Sequence, residues 1–429
     1  MHIGKRIIIL RKEYGMKQSE ISKGIISTTH LSNIEKGRYK PPEDVLQLIA
    51  KKLKVPSRYL VNYEEYKKEY EDILEKLLEL VILNPIKAQN YINQIESEKF
   101  FPFQSLELEL QYLLLKSCLD AKRENKTSSV INSQINILLH NEDIDELPLN
   151  IKRSYYYYKG IQLYFLNEFQ ESIYWFKNLL PSTNNIKIKA AIFYNLSLLH
   201  QKIERTQDSI QFAEQALEIY IQYHNWSKIG ETYTLLGVLH WEKKDYSEAI
   251  AQLKKAKEIQ GIIEDDVLHS RILHNLALVY QSMKDHEKAI EFFKQAIEKK
   301  KKIYKEPVNL MVSYRGVIKC YIDLDNKKLA KKYLDIAYEN VQHKKDKYKL
   351  NTYYALLNKE EDSEIFVKLM KQSIKYFTEK KDIKNLKGLN EQLGEYFFQT
   401  KRYKLASYHF KEELNINKGV IFYEEKNSY

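Results

Sequence analysis

A ladder of small and large residues that recurs about every forty positions constrains this chain more than any other feature of its sequence. Two successive copies read Gly237, His240, Ala249, Leu253, Ala256 and then Ala277, Tyr280, Ala289, Phe293, Ala296. The first rung falls at positions 160, 197, 237, 277, 318 and 394, in steps of 37, 40, 40, 41 and 76, the last spanning two units with a degenerate one near Asn351–Phe377. Rungs spaced by three, four and seven lie on one face of a helix. Small residues let two antiparallel helices approach closely, and large ones fill the gaps between them. A pair of this length buries its apolar face only against its neighbours, so the pairs must stack. Composition agrees, since 12 Gly and 8 Pro in 429 residues are too few for a barrel or sandwich that turns every 8–12 residues or so.

The ladder is similar to the tetratricopeptide repeat, with longer helices than the minimal unit. Weaker pairs are expected over 71–141, on Ile73, Leu77, Leu80, Leu106, Leu110, Leu113 and Leu114. Seven to nine pairs in a right-handed superhelix follow from the resemblance. The charge sits elsewhere. Nine Lys and four Arg against four Glu and one Asp leave +8 in the first 60 residues, and only +3 of the total +11 in the other 369. A basic segment on a nearly neutral body is the footprint of a nucleic-acid module. The run Lys299–Lys302 ends a helix, where the dipole favours cations, and reads as a solvated helix end.

Residues 3–60 read as five short helices. Ile3, Ile7 and Leu10 mark the first, which Gly15 ends; Gln18 to Lys23 form the second; Ser27 caps a third over Thr28 to Lys36, with Leu31 and Ile34 inward; Gly37 stops it. Pro42 opens a fourth helix to Lys54, with Val45, Leu46, Leu48, Ile49 and Leu53 inward, and Arg58 to Leu60 begin the fifth. The segments Leu10-Arg11, Gly15 to Ser22, Leu31 to Gly37, Pro41-Pro42 and Leu48 to Leu53 together resemble the Xre/Cro-type helix-turn-helix domain. Lys17 stands where a capping Ser or Thr is usual.

In that motif the second helix of the pair enters the major groove of double-stranded DNA. The resemblance places Thr28, Thr29, His30, Ser32 and Asn33 outward, with Thr29, His30 and Asn33 on base edges, Gln18 as a backbone clamp, and Arg38 and Lys40 on phosphates. Glu35 reads as an internal tie. Residues 1–61 are then a DNA-binding domain, 62–72 a charged linker helix, and 73–429 the repeat domain.

Positions 2, 5, 6, 9 and 12 of each repeat face a concave groove in the repeat family. Here they include Tyr194, Asn195 and Gln201; Thr234; Arg271, His274, Asn275 and Gln281; and Arg315 and Lys319. Asn and Gln both donate and accept, so they bridge an extended peptide backbone; Arg271, Arg315 and Lys319 suit a carboxylate. The plainer alternative for each is a wetted polar surface. Head and repeats together resemble the regulators grouped as Rap, Rgg, NprR, PlcR and PrgX, in layout most the NprR and PlcR branch. The resemblance implies a cytoplasmic transcriptional regulator whose groove takes a short signalling peptide, and a homodimer or higher oligomer whose geometry the peptide switches. The alternative is a scaffold that sequesters a phosphorelay response-regulator protein when peptide is absent; a phage-type repressor with a scaffold tail comes third. No cofactor, metal or catalytic site is expected: GxxxxGK[ST], HExxH and GxSxG are missing, His200 and His240 fall on packing rungs, and His269 and His274 do not share a helix face. Cys118 and Cys320 form no framework of disulfides and fit a reducing compartment, and no apolar run reaches membrane-spanning length.

Overall fold

The computed structural model describes residues 1–99, 101–303 and 310–417, and among these every regular element is helical. Contacts divide the chain into two compact units, Met1–Thr232 and Tyr233–Tyr429. The first unit begins with α1 (Gly4–Glu13), α2 (Gln18–Ser22), α3 (Thr28–Glu35), α4 (Glu43–Leu53) and α5 (Ser57–Val61). It continues with the antiparallel pairs α6 (Lys68–Leu83) and α7 (Pro85–Ser97), α8 (Leu106–Glu124) and α9 (Ser129–Leu139), α10 (Leu149–Phe165) and α11 (Phe169–Ser182), and α12 (Ile186–Lys202) and α13 (Thr206–Gln222). The division falls within α14 (Trp226–Glu242), whose partner is α15 (Tyr246–Ile263). The second unit goes on with α16 (Asp266–Ser282), α17 (His286–Ile303), α18 (Met311–Asp323), α19 (Lys327–Glu339), α20 (Lys344–Leu357), α21 (Ser363–Glu379), a single turn α22 (Ile383–Leu386), α23 (Leu389–Gln399) and α24 (Tyr403–Asn417).

Local chemistry sets the five head helices where the sequence places them. The Ser27 hydroxyl accepts from the His30 N–H at 3.1 Å, capping α3. Gly15 and Gly37 take positive φ of 65° and 71° just past α1 and α3, a conformation glycine adopts without steric cost. Lys17 supplies no side-chain cap to α2; instead the Glu20 carboxylate accepts from the Lys17 N–H at 2.5 Å. Ile3, Ile7, Leu10, Ile21, Leu31, Ile34, Leu46, Ile49 and Leu53 are buried. Leu48, expected inward, is 48% exposed, because the buried stripe of α4 runs through 46, 49, 50 and 53. Of the linker expected to be helical over 62–72, only the part from Lys68 onward is helix, and it opens α6.

The head is anchored to the pairs that follow it. Arg6 on α1 is fully buried. Its Nε donates to Glu109 on α8 at 2.8 Å, and its other nitrogens donate to the Tyr59, Gln104 and Phe103 carbonyls. The guanidinium lies 4.0 Å from the centre of the Tyr59 ring, whose hydroxyl donates to the same Glu109. Next to it, Lys5 donates to the carbonyls of Leu138 and His140 at 2.8 and 2.7 Å and meets Glu142 at 2.5 Å. One apolar core runs unbroken from Ile3 to Leu199.

The repeat frame governs the turns as well as the helices. Asn167, Glu204, Lys244, Lys284, Asp325 and Lys401 all have φ between 52° and 65°, and each lies seven residues after the first rung of its unit. The next N–H reaches back to the carbonyl of the large rung: Arg205 to His200 at 2.9 Å, Asp285 to Tyr280 at 3.0 Å, Asn326 to Tyr321 at 2.8 Å. This six-to-one bond ends the first helix of each pair in a Schellman turn. Glycine usually fills the left-handed position; here Asn, Glu, Lys and Asp do. That is why a chain of so many turns carries so little glycine. The glycines on the first rung are kept for contact instead. A Cβ on Gly160 or Gly237 would come within 2.8 Å of Phe176 or 2.6 Å of Leu253. Unit 318 departs from the pattern: Ile318 is a buried large residue, and the close approach is made two residues earlier, at Gly316.

Candidate functional site

The outward face of α3 opens on a cleft of about 420 Å³ lined by Ser27, Thr29, His30, Asn33, Arg38 and Tyr39. Four residues expected at a DNA surface therefore share one cavity. Thr28, Thr29, Arg38 and Lys40 are exposed, and His30, Ser32 and Asn33 half-buried. Thr28 is tied to the helix before it, its hydroxyl 3.1 Å from that of Ser22. Tyr39 was not singled out from the sequence; its ring meets His30 edge-on at 4.4 Å and narrows the cleft. Only the turn after Gly37 brings it there.

Behind α3, Glu35 is the tie the sequence suggests. It is 5% exposed and accepts from Arg11 at 2.8 and 3.1 Å and from the Gln18 amide at 2.6 Å. Gln18, expected to clamp the DNA backbone, gives one of its two amide N–H groups to Glu35, which ties α2 to α3. Lys40, expected on phosphate, pairs with Glu64 at 3.0 Å; both side chains are well exposed, so the pair is weak and exchanges readily with solvent.

In the first unit, Tyr194, Asn195 and Gln201 are half-buried on α12, and Lys228 lies 5.7 Å from the Tyr194 ring. In the second, Arg271 and Lys319 are exposed and Asn275 half-buried, as a lining surface requires. Thr234 is not part of such a surface: it is buried at 7% exposure, because its face of α14 packs inward. His274 turns toward the next pair and shares a 3.0 Å hydrogen bond with Ser313. Burial, with Lys300 and Arg315 nearby, lowers its pKa to about 3, so the ring is neutral. Arg315 is paired with Asp346 of α20. Gln281 bridges α16 to α18 through the Gly316 carbonyl at 3.3 Å and the Cys320 sulfur at 3.1 Å. Of the lysine run read as a solvated helix end, Lys300 is buried and donates to Ser313 at 3.0 Å. Lys299 and Lys301 do face outward, to Asp266 and Glu298. His200 packs against Phe212 at 5.1 Å.

Both cysteines are free and buried. Among the described residues no group of three His, Cys, Asp or Glu is placed to hold a metal, and no helix is long and apolar enough to cross a membrane.

A helix-turn-helix head followed by stacked tetratricopeptide pairs is therefore the class of this chain. A helix-turn-helix family model matches residues 7–60, and tetratricopeptide repeat models match 188–261 and 270–302. The chain is homologous to the Transcriptional activator NprA of Geobacillus stearothermophilus, with 24% identity over 420 residues that cover 93% of this chain and 99% of that protein. Its fold is that of the quorum sensor NprR from B. thuringiensis in its apo form, with a TM-score of 0.68 at 16% identity over 82% of this chain and 99% of that one. NprR in complex with its cognate peptide NprX is similar at a TM-score of 0.57 and 18% identity, over 81% and 99% of the two chains.

Proposed function

We propose that this chain is a cytoplasmic transcriptional regulator that binds operator DNA through α3 and a short signalling peptide through the first helices of its repeats. The observation that carries the DNA half is the cleft that joins Thr29, His30, Asn33 and Arg38 on the open face of a helix braced from behind by Glu35. Asn pairs bidentately with adenine and Thr meets the thymine methyl, while Arg38 and the exposed Lys40 suit phosphates. Homology to a transcriptional activator over nearly the whole chain supports this reading. The peptide half is supported by the NprR-like fold, one of whose relatives is complexed with a cognate peptide. It draws on Tyr194, Asn195 and Gln201 in the first unit, and on Arg271, His274, Asn275, Arg315 and Lys319 in the second. On this reading residues 1–61 form the DNA-binding head and 73–429 the peptide receptor. A two-fold homodimer would set two heads on half-sites one helical turn, about 34 Å, apart.

The test is selection from a pool of random DNA duplexes by the full chain. The wild type should enrich a defined sequence. The double variant Thr29→Ala, Asn33→Ala should lose that enrichment while its circular dichroism stays that of the wild type. Unchanged enrichment by the double variant refutes the assignment of α3.

A further inference from the structure

The second unit holds a cluster in which cations outnumber carboxylates. Lys300 reaches from the last turn of α17 toward α18. Its ammonium is buried, and its hydrogen-bond partner is the neutral Ser313 hydroxyl at 3.0 Å. The same hydroxyl is 3.0 Å from Nδ1 of His274 on α16. Two residues past Ser313 on α18, Arg315 is paired with Asp346 of α20, and both are only slightly exposed; its charge acts on His274 as that of Lys300 does. Lys349, one turn beyond Asp346 and half-buried, lies in the field of Arg315. Among the described residues neither Lys300 nor Lys349 forms an ion pair. Four cations, Lys300, Arg315, Lys345 and Lys349, thus stand against two carboxylates, Asp346 and Asp382, each already paired, with Arg315 and Lys345 respectively, and the neutral His274 does not add to either side.

A cation withdrawn from water without an anion is costly, and groups perturbed in this way cluster at functional sites. Burial lowers the pKa of Lys300 and of Lys349 to about 8 in each case, with Arg315 and Lys345 adding to the effect at Lys349, the response expected of ammonium groups withdrawn from water. The placement agrees with a site. α16, α18 and α20 are the first helices of three successive pairs, the helices that line the inner face of such repeats, and Lys300 approaches from behind that lining.

We propose that His274, Lys300, Ser313, Arg315, Asp346 and Lys349 form an acid subsite that selects peptide ligands by a carboxylate. Lys300 and Lys349 neutralise the incoming group, the Ser313 hydroxyl accepts from Lys300 and from a protonated Nδ1 of neutral His274 and so gives its one proton to the ligand, and Arg315 is shared between it and Asp346. The inference rests on the peptide-binding reading above and adds a requirement on the ligand: an Asp or Glu side chain, or a free carboxyl terminus.

The experiment is affinity selection by the full chain from a random heptapeptide library made in two forms, one with free carboxyl termini and one with carboxamide termini, read by mass spectrometry. Enrichment of Asp or Glu at one position in both forms supports a side-chain carboxylate. Enrichment in the free-acid form alone supports a terminal one. In either case the acid preference should fall at least tenfold in Lys300→Met and in Ser313→Ala, and should rise in Asp346→Asn, which removes the internal competitor. The Asp346→Asn arm keeps the test decisive if Lys300→Met fails to fold. Peptides retained without any acid preference, or with one that Ser313→Ala and Asp346→Asn leave unchanged, overturn the subsite and leave the receptor reading standing. No peptide retained above background by the wild type overturns the receptor reading itself.

Discussion

Replacing Gly316 by alanine should cost stability in a way that a second substitution repairs. A Cβ built on Gly316 lies 2.3 Å from Cζ of Phe293 and 2.5 and 2.6 Å from the adjacent ring carbons. Ordinary contact begins at 3.4 Å, so the ring must retreat by about 1.1 Å. It has little room to do so: Phe293 is fully buried and its ring already packs against that of His274, with centres 5.4 Å apart. Overpacking of this kind costs about 1–3 kcal/mol. Phe293→Leu alone removes the ring carbons and leaves a gap, at about 1–3 kcal/mol, less than the 3–5 kcal/mol of a full truncation to alanine. In the double variant the new methyl enters the space the ring has left. The two losses should then fall short of additivity by roughly 1–2 kcal/mol. The assay is guanidinium denaturation of the four proteins of the cycle, followed by circular dichroism and compared at a common m-value. Additivity within about 0.3 kcal/mol, or a neutral Gly316→Ala, would refute the claim that α17 and α18 touch through this glycine.

Other outcomes follow from the anchoring, the pKa shifts and the turns. Arg6→Ala strands the Glu109 carboxylate and three carbonyls, and should destabilise the first unit by about 3–5 kcal/mol; Arg6→Ala with Glu109→Ala should recover part of that loss, and equal melting temperatures for the wild type and Arg6→Ala would contradict it. His274 and His409 are held neutral chiefly by burial, with pKa values lowered to about 3 and about 4. The unfolded chain therefore binds more protons between those values and 6.5, and stability should fall as pH drops through that window; His274→Gln should flatten the slope, measured as melting temperature against pH. Lys300 and Lys349 act at the other end: with folded pKa values near 8 against 10.5 unfolded, their contribution should make the fold more stable from pH 8 to 10.5, which Lys300→Met should halve. Lys284→Gly relieves a left-handed residue at φ 65° and should change stability by between 0 and about +1 kcal/mol, whereas Lys284→Val should lose about 1 kcal/mol; a loss with glycine would count against strain at that turn.

The parts of this protein that were legible in its sequence are those whose causes are local. Ser27, Gly15, Gly37 and Pro42 act within one turn of themselves, so α1 to α4 begin and end within a residue or two of where they were placed. The repeat frame was legible because the same contact is made over and over, and the turn seven residues past each first rung keeps its phase even at Ile318, where the small residue is missing. What was hidden depends on partners far along the chain. Lys300 looks like one more solvated lysine until Ser313 is seen to receive it. Asp346 and Lys349 lie in the degenerate unit, where no ladder told which way a side chain faced. Leu48 falls on the wrong side because a helix turns 100° per residue, and a one-residue error in the stripe carries a side chain from the core to the surface; Thr234 keeps the repeat position of Tyr194 and His274, and nothing local to it tells that it is buried where they are not. The head looks like a free-standing module since its motif ends near residue 60, and nothing in Lys5 or Arg6 announces the carbonyls that they reach 53 to 135 residues later.

That anchoring bears on inheritance. A recombination joint near residue 61 would pass on α3 with its bracing and leave behind the acceptors of Arg6 and Lys5 on and beside α8 and α9. The recipient body would have to offer a glutamate where Glu109 stands and open carbonyls where Leu138 and His140 present theirs. On the proposed reading of α3, new DNA specificities should therefore arise by exchange of its exposed residues, one at a time. Where a whole head does move, it should travel with the chain as far as Glu142, as a segment more than twice the length of the motif that names it.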